Sequence, residues 1–236
     1  MKRLKNDTGN YNNMLTESCL PEWLPAIEAN RQLYQYKKGE QLFAEGDAVK
    51  GMYFVQSGVV KVHKQWDADK ELIIRFAKSG DIAGHRGLGV DDVYPVSATA
   101  LENVVVSYFD MPFFNATLKV NHDFLYKLLM FFAAELKVSE RKMRNLAHMP
   151  VKARVAQTFL NLYLQFGVNE EGNIAFQLAR QDIASYAGTT YETVFRIIND
   201  MIAENLLEVA GKNIRLTDVK AMESLVLAAQ SPVSAG

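Results

Sequence analysis

Cysteine is almost absent from this sequence. Its 236 residues include a single cysteine, Cys19. A disulfide within the chain needs two cysteines, and a thiolate-ligated iron–sulfur cluster needs about four, so the sequence excludes both. This composition suits a reducing cytoplasm, which is the location we expect.

Long apolar runs are also lacking. No stretch approaches the roughly 20 apolar residues that a membrane-spanning helix needs, and no apolar run follows the basic residues at the N-terminus. We therefore expect neither export nor a membrane partner.

Patterns that would indicate catalysis are missing too. A phosphate-cradling glycine loop, a nucleophile elbow and paired catalytic carboxylates do not occur in a convincing context, which argues against an enzyme. No two histidines are spaced for one helical turn, so the sequence predicts no metal site.

Basic residues are not in excess. Residues 1–118 contain 13 Lys and Arg against 15 Asp and Glu, residues 119–148 contain 6 against 3, and residues 149–236 contain 7 against 9. A nucleic-acid partner would therefore have to be held by a local basic face rather than by bulk charge. About half of the residues are apolar, at 49%, which is enough for two domains with their own cores.

Short strands separated by turn residues characterise the first half of the chain. Glycine-containing turns divide segments rich in β-branched and aromatic residues, namely Met52–Gln56, Val59–Trp66, Leu72–Ala77 and Val104–Phe109. The pattern predicts an antiparallel β-barrel or jelly roll. With a short helix at Pro21–Asn30, it forms a predicted sensor domain over residues 21–118, and residues 1–20 are interpreted as a tail.

The periodicity changes after the predicted strands. From Phe113 to about Ala147 we predict one long helix with a short lead-in, of which residues 119–148 form a dimerisation helix. A coiled-coil stripe, broken at Ser139, consists of Leu125, Leu129, Phe132, Leu136, Met143 and Leu146. A second stripe, Leu128, Phe131 and Val138, is expected to pack on the helix's own barrel. Two apolar faces need two partners, which favours a homodimer over a core helix in a monomer.

A helix-turn-helix is predicted at Arg180–Asn199, within a domain that begins after the helix break at Met149 and Pro150 and covers residues 149–236. Ala184 is small where two helices cross, and Gly188 suits a turn that needs a positive φ. The inner faces are expected to carry Ile183, Ala187, Val194 and Ile197. The overall prediction is an α+β protein with a barrel, a long dimerisation helix and a C-terminal winged helix-turn-helix.

The second helix of this motif carries the candidate base-reading residues. We predict that it begins at Thr189, with Glu192 completing a capping box, although Glu192 is also a candidate reader. Arg196 is expected to bind guanine and Glu192 to accept from cytosine in the major groove of duplex DNA. The predicted base-reading set is Thr190, Tyr191, Glu192 and Arg196. For Tyr191 and Phe195, contact with phosphate or a thymine methyl and packing against the wing all stay open.

A β-hairpin with a basic tip is predicted after the second helix. Its strands are Leu206–Val209 and Ile214–Thr217, which makes the motif a winged helix. The candidate phosphate contacts are Arg180, Thr189, Lys212 and Arg215. The alternative for each basic residue is an ordinary solubilising surface charge. The last residues, 230–236, are interpreted as a loose tail.

Two stretches resemble the Crp/Fnr superfamily of bacterial transcription regulators. GEQLFAEGDAVKGMYFVQSGVVKV, at Gly39–Val62, is similar to the opening of a cyclic-nucleotide-binding barrel, and GTTYETVFRII, at Gly188–Ile198, is similar to the recognition helix. The resemblance implies a homodimer on a near-palindromic DNA site, with RNA polymerase as a further partner. It also implies that Glu192 and Arg196 read a G·C-containing core, whereas Tyr191 departs from the base-contacting Arg or apolar residue of relatives.

The sensor departs further from the superfamily pattern. The resemblance places an effector pocket at Gly84, His85, Arg86 and Ser97, yet His85 stands where the ribose-binding Glu occurs and Val96 where the phosphate-binding Arg occurs. Because a buried cyclic phosphate would lack its bidentate partner, cyclic AMP is not expected. The cofactor therefore stays unknown. The alternatives for the sensor are haem on His63, His85, His122 or His148, a small organic effector, an anion at Arg86, or no ligand. The alternative function, of a different class, is a cyclic-nucleotide-type regulatory module of a larger assembly.

Overall fold

The computed structural model describes residues 1–4, 12–67 and 70–230, so all but the first residue of the predicted loose tail lies outside the described residues. The chain divides into two compact units, Met1–Lys137 and Val138–Gly236, with the division inside one long helix. Among the described residues, no helix is both long and apolar enough to cross a bilayer.

In the part of the first unit that the structure describes, nine strands combine with four α-helices. The strands are β1 Lys2–Arg3, β2 Gln32–Tyr36, β3 Gln41–Phe43, β4 Gly51–Ser57, β5 Val60–Asp67, β6 Lys70–Ala77, β7 Ile82–Ala83, β8 Ser97–Ala100 and β9 Val104–Asp110. The helices are α1 Met14–Ser18, α2 Leu24–Asn30, α3 Met111–Val120 and α4 His122–His148, of which α4 continues into the second unit. Short 3₁₀ helices occur at Pro21–Trp23 and His85–Gly87.

Two antiparallel sheets form the barrel, and each of the four predicted strand segments is present. One sheet has the order β1-β2-β9-β4-β7 and the other β3-β8-β5-β6. Side chains alternate along β4, so Tyr53 and Val55 join the core between the sheets. Met52 and Phe54 point to the other face, where they pack with α1–α4. The larger sheet is therefore covered on both faces.

The predicted single long helix is wrong at Asn121, because the structure has two helices, α3 and α4, at this point. Asn121 leaves the helical conformation, with φ −108° and ψ 88°. Its buried side chain accepts a hydrogen bond from the Leu20 backbone at 2.8 Å and donates to the Thr117 carbonyl at 3.0 Å. This long-range contact fixes the break. The predicted tail also contains the unpredicted α1, whose Leu15 is fully buried.

Helix α4 has one apolar face on the barrel and another in solvent. Leu128 is buried and Phe131 packs against the same core, as predicted. Val138 was expected there too but is exposed. Most of the coiled-coil stripe is exposed within the single chain, by 44% at Leu125, 61% at Leu129, 60% at Leu136 and 65% at Met143, whereas Phe132 is partly buried against the core.

The second unit is a small helical domain with a two-stranded wing. After the C-terminal part of α4, it contains α5 Val151–Phe166, α6 Arg180–Ala187, α7 Tyr191–Ala203, β10 Leu207–Ala210, β11 Asn213–Leu216 and α8 Val219–Gln230. Helix α5 packs against α6, α7 and α8. The hairpin pairs Ala210 with Asn213, which leaves Gly211 and Lys212 at its tip.

Candidate nucleic-acid interface

Helices α6 and α7 meet at a tight turn set by Gly188. This residue caps α6 in the left-handed conformation, with φ 65° and ψ 50°. Glycine adopts such a φ without the steric cost that a Cβ imposes. Ile183, Ala184 and Ala187 of α6 are buried against the rest of the unit. The turn and the small crossing residue therefore stand where the sequence pattern predicted them.

The start of α7 differs from the prediction by one residue. Thr190, not Thr189, is the N-cap, and its Oγ1 accepts a hydrogen bond from the Thr193 backbone N–H at 3.3 Å. The predicted capping box of Thr189 and Glu192 is therefore wrong, because the third helical position is held by Thr193. Thr190, expected to read bases, uses its hydroxyl as the cap, while Glu192 in the first turn is exposed and free of the capping role.

The outer face of α7 presents the remaining candidate readers, together with Phe195, to solvent. Tyr191, Glu192, Phe195 and Arg196 are all exposed. The opposite face is buried at Val194, Ile197, Ile198 and Met201. The helix is thus anchored by its apolar side and keeps a carboxylate and a guanidinium accessible in its N-terminal half. Their assignment to base reading remains a prediction.

Arg154 of α5 holds the turn in place and was missed by the sequence analysis. Its guanidinium donates to the carbonyls of Ala187 at 3.0 Å, Gly188 at 3.1 Å and Met149 at 2.8 Å. One side chain therefore ties the α6–α7 turn to the segment between α4 and α5. One sequence signal for this role was present, a charged residue between the apolar residues Ala153 and Val155. Both of these neighbours are buried in the structure.

The four candidate phosphate contacts have different surroundings. Lys212 is exposed at the tip of the wing. Arg215 is also exposed, but its Nε lies 3.5 Å from the Glu208 carboxylate on the paired strand. Arg180 and Thr189 are half-buried, and one terminal nitrogen of Arg180 is buried without a hydrogen-bond partner. Of the four, only Lys212 and Arg215 are therefore exposed.

Two of the four predicted effector residues, His85 and Arg86, contact α4. Gly84 adopts a left-handed conformation with φ 91°, and the turn that follows carries His85 and Arg86. Arg86 donates to the Glu135 carboxylate of α4 at 2.9 Å. Arg75 of β6 approaches the same oxygen at 3.6 Å, and His85 Nε2 lies 3.9 Å from it. The cation that was predicted for an anionic ligand thus has an internal carboxylate partner.

His85 is enclosed rather than open to a ligand. Its ring is 2% exposed and meets the rings of Phe131 and Phe132 edge-on, at centroid distances of 5.0 and 5.4 Å. Burial, together with the positive charges of Arg75 and Arg86, lowers the pKa of His85 to about 3. The imidazole is therefore neutral at physiological pH.

Val96 and Ser97 face different neighbours from those of His85. Ser97 Oγ accepts a hydrogen bond from the Glu45 backbone at 2.9 Å. Val96 lies in the apolar core between the sheets, where Phe43 stacks on Tyr94 at a centroid distance of 4.0 Å. A cavity of about 320 Å³ on this unit is lined by residues that include Glu17, Asp81 and Lys127, and by none of the four predicted effector residues.

Comparison with known proteins assigns both units. Residues 33–121 match the model of the cyclic nucleotide-binding domain, and residues 153–225 match that of the Crp-like helix-turn-helix domain. The cAMP-activated global transcriptional regulator CRP of Salmonella typhimurium is 29% identical over 202 residues, 82% of this chain and 95% of the relative. The transcriptional activator protein FnrA of Stutzerimonas stutzeri is 28% identical over 184 residues, 77% of this chain and 75% of the relative.

Solved structures show the same fold. FixK2 from Bradyrhizobium japonicum superposes with a TM-score of 0.74 at 24% identity, covering 83% of this chain and 96% of FixK2. A CooA mutant from Carboxydothermus hydrogenoformans has a TM-score of 0.73 at 20% identity, with coverages of 92% and 97%. The barrel, the helix-turn-helix and these matches together show that the chain belongs to the Crp/Fnr family of DNA-binding transcription regulators, which are not enzymes.

Proposed function

We propose that this regulator acts as a homodimer on a near-palindromic DNA site, with its barrel binding no cyclic AMP. The observation that carries the dimer is the exposed apolar stripe of α4, of which Leu129 and Leu136 are each about 60% in solvent. A soluble monomer rarely exposes such a row of large apolar side chains to solvent. Two copies pairing through this stripe would bury it and supply two recognition helices, each reading one half-site.

Selection from random duplexes tests this proposal. Purified protein is incubated with a randomised duplex pool, bound sequences are recovered, and sedimentation gives the mass of the complex. We expect an inverted repeat whose half-site centres lie about one DNA turn apart. After the mass of the duplex is subtracted, the bound protein should have twice the chain mass of 26.6 kDa. A lone half-site bound by one chain would contradict the homodimer.

The chemistry of the barrel supports the second part of the proposal. A cyclic phosphate taken out of water needs a charge-assisted donor pair, most often a bidentate Arg. At the position where the family has that Arg, Val96 is packed in the apolar core. Arg86 instead donates to Glu135. Binding cyclic AMP would require the anion to enter an apolar interior without a bidentate cation.

The surroundings of the described histidines do not argue for haem. His63 and His85 are buried. The ring nitrogens of His63 lie 2.9 Å from Thr99 Oγ1 and 2.8 Å from a Glu71 carboxylate oxygen. His122 and His148 are exposed. A small effector of another kind and a contact with RNA polymerase remain predictions, and no step of the proposed function depends on them.

Titration calorimetry tests the barrel directly. Cyclic AMP at millimolar concentration is injected into the full-length protein, with the protein's DNA binding measured in parallel. We expect no saturable heat and unchanged DNA affinity. A stoichiometric binding isotherm that increases DNA affinity would overturn this part of the proposal and leave the DNA-binding part standing.

A further inference from the structure

Two aromatic side chains on the recognition helix have contacts with DNA that the sequence left open. Tyr191 and Phe195 are 44% and 50% exposed, respectively, on the N-terminal half of α7. A ring packed on the wing would be buried, so their exposure argues against that alternative. Large apolar surface left in solvent beside charged residues marks a contact site.

The spacing of the two rings makes them one patch. Four residues along an α-helix return to nearly the same face, offset by about 40°, with a rise of about 6 Å. Glu192 and Arg196 have the same spacing and form the neighbouring strip. The accessible face of α7 therefore has an apolar strip next to a charged strip, each about two base-pair steps long.

The major groove offers one apolar feature of matching size. Thymine alone among the four bases places a methyl group there, at C5, and aromatic side chains contact it favourably. Resting on the proposed DNA-binding function, we propose that Tyr191 and Phe195 form an apolar strip that contacts thymine methyl groups next to the base pairs read by Glu192 and Arg196. The half-site then requires thymine at one or two positions beside its G·C core.

Replacing thymine by deoxyuridine tests the proposal, because it removes the methyl group and leaves base pairing intact. On the selected operator, each half-site thymine is replaced in turn and affinity is measured by fluorescence anisotropy. Loss of one buried methyl group is expected to weaken binding about fourfold at one or two positions beside the G·C core. The other thymines should be insensitive.

Variants assign the effect to the aromatic strip. Phe195→Ala and Tyr191→Ala are each expected to abolish the difference between thymine and deoxyuridine at the position that the replaced ring contacts, whereas Phe195→Leu should retain part of the preference. Ile202→Ala is the matched control, because Ile202 is 39% exposed on the same helix but in its C-terminal turn. That variant should keep the full deoxyuridine effect, as should Glu192→Gln, which alters only the charged strip.

The outcomes separate this inference from the function on which it rests. Failure to select any duplex would overturn the proposed function and the inference together. A selected operator that binds equally with thymine and deoxyuridine at every position would overturn the inference alone. A deoxyuridine effect that persists at the same thymine in both alanine variants would also overturn it, because that methyl contact would then belong to other residues.

Discussion

Arg196 and Arg86, in two regions of one chain, differ in whether their guanidinium groups are open to solvent or paired within the protein. Arg196 is exposed on α7, with its buried helix face supplying the anchor. Arg86 donates to Glu135, next to a buried imidazole. The recognition helix thus leaves the Arg196 guanidinium available to a partner, whereas the Arg86 guanidinium of the predicted effector segment is paired within the protein. Family resemblance therefore locates a site, while the neighbours of its residues decide whether the site is open.

The largest expected effect comes from breaking the α4 stripe. A variant with Leu129→Asp and Leu136→Asp should be monomeric and should bind the full operator at least about 100-fold more weakly, since the advantage of two linked half-site contacts is lost. Sedimentation and anisotropy measure the two effects. Because both residues are exposed in the single chain, circular dichroism should stay unchanged.

Leu164→Asp is the matched control for the stripe. Leu164 is 75% exposed on α5, outside the stripe, and its replacement should leave the dimer and DNA affinity intact. A double variant that still sediments as a dimer would show that α4 does not form the interface.

Arg196→Ala should produce the next largest loss of DNA affinity, in the open recognition helix. Removing a bidentate contact to guanine costs about 1–3 kcal/mol and relaxes specificity at that base pair. Lys212→Ala, by contrast, should weaken binding equally across sequences and reduce the salt slope by about 1, as expected for a phosphate contact. Anisotropy titrations against operators with each base changed distinguish these outcomes. An unchanged base preference in Arg196→Ala would remove Arg196 from the reading set.

Arg154→Gln tests how the open site is held in shape. The variant leaves the carbonyls of Met149, Ala187 and Gly188 without their shared donor, so we expect the free energy of unfolding to fall by about 2–4 kcal/mol. Arg154→Lys should recover little, because a point charge cannot reproduce the planar fork. Urea unfolding measures the change. Wild-type stability in Arg154→Gln would contradict the positioning role.

His85 tests the closed region around Arg86, and its effect on stability is expected to be smaller than that of Arg154. The ordinary histidine pKa of 6.5 applies to the unfolded chain, whereas burial lowers the pKa of His85 to about 3 in the folded protein. Below pH 6.5 the unfolded chain therefore binds a proton that the folded chain does not, so stability falls as pH falls. Between pH 7 and pH 5 this loss is about 2 kcal/mol.

Urea unfolding of wild type and His85→Gln at both pH values measures this contribution. The variant should lose less stability than wild type on acidification. An equal loss in the two proteins would show that His85 is charged or accessible in the folded state.

Local pattern predicted more of the DNA-binding unit than of the barrel's contacts with α4. Gly188 and the buried period of α7 follow from short-range rules, which place the turn correctly. The cap was displaced by one residue because Thr189 and Thr190 are adjacent and have the same capping chemistry. The break at Asn121 and the pairing of Arg86 with Glu135 depend on partners 101 and 49 residues away, which no local pattern specifies.

DNA affinity measured with and without cyclic AMP tests the contrast between the open and closed regions most directly. The selected operator is titrated with ligand-free full-length protein, and the titration is repeated in millimolar cyclic AMP. We expect the same sequence-specific affinity in both titrations, with no requirement for the nucleotide. Binding that appears only with cyclic AMP would contradict this expectation, because the barrel would then bind the nucleotide that we propose it does not bind.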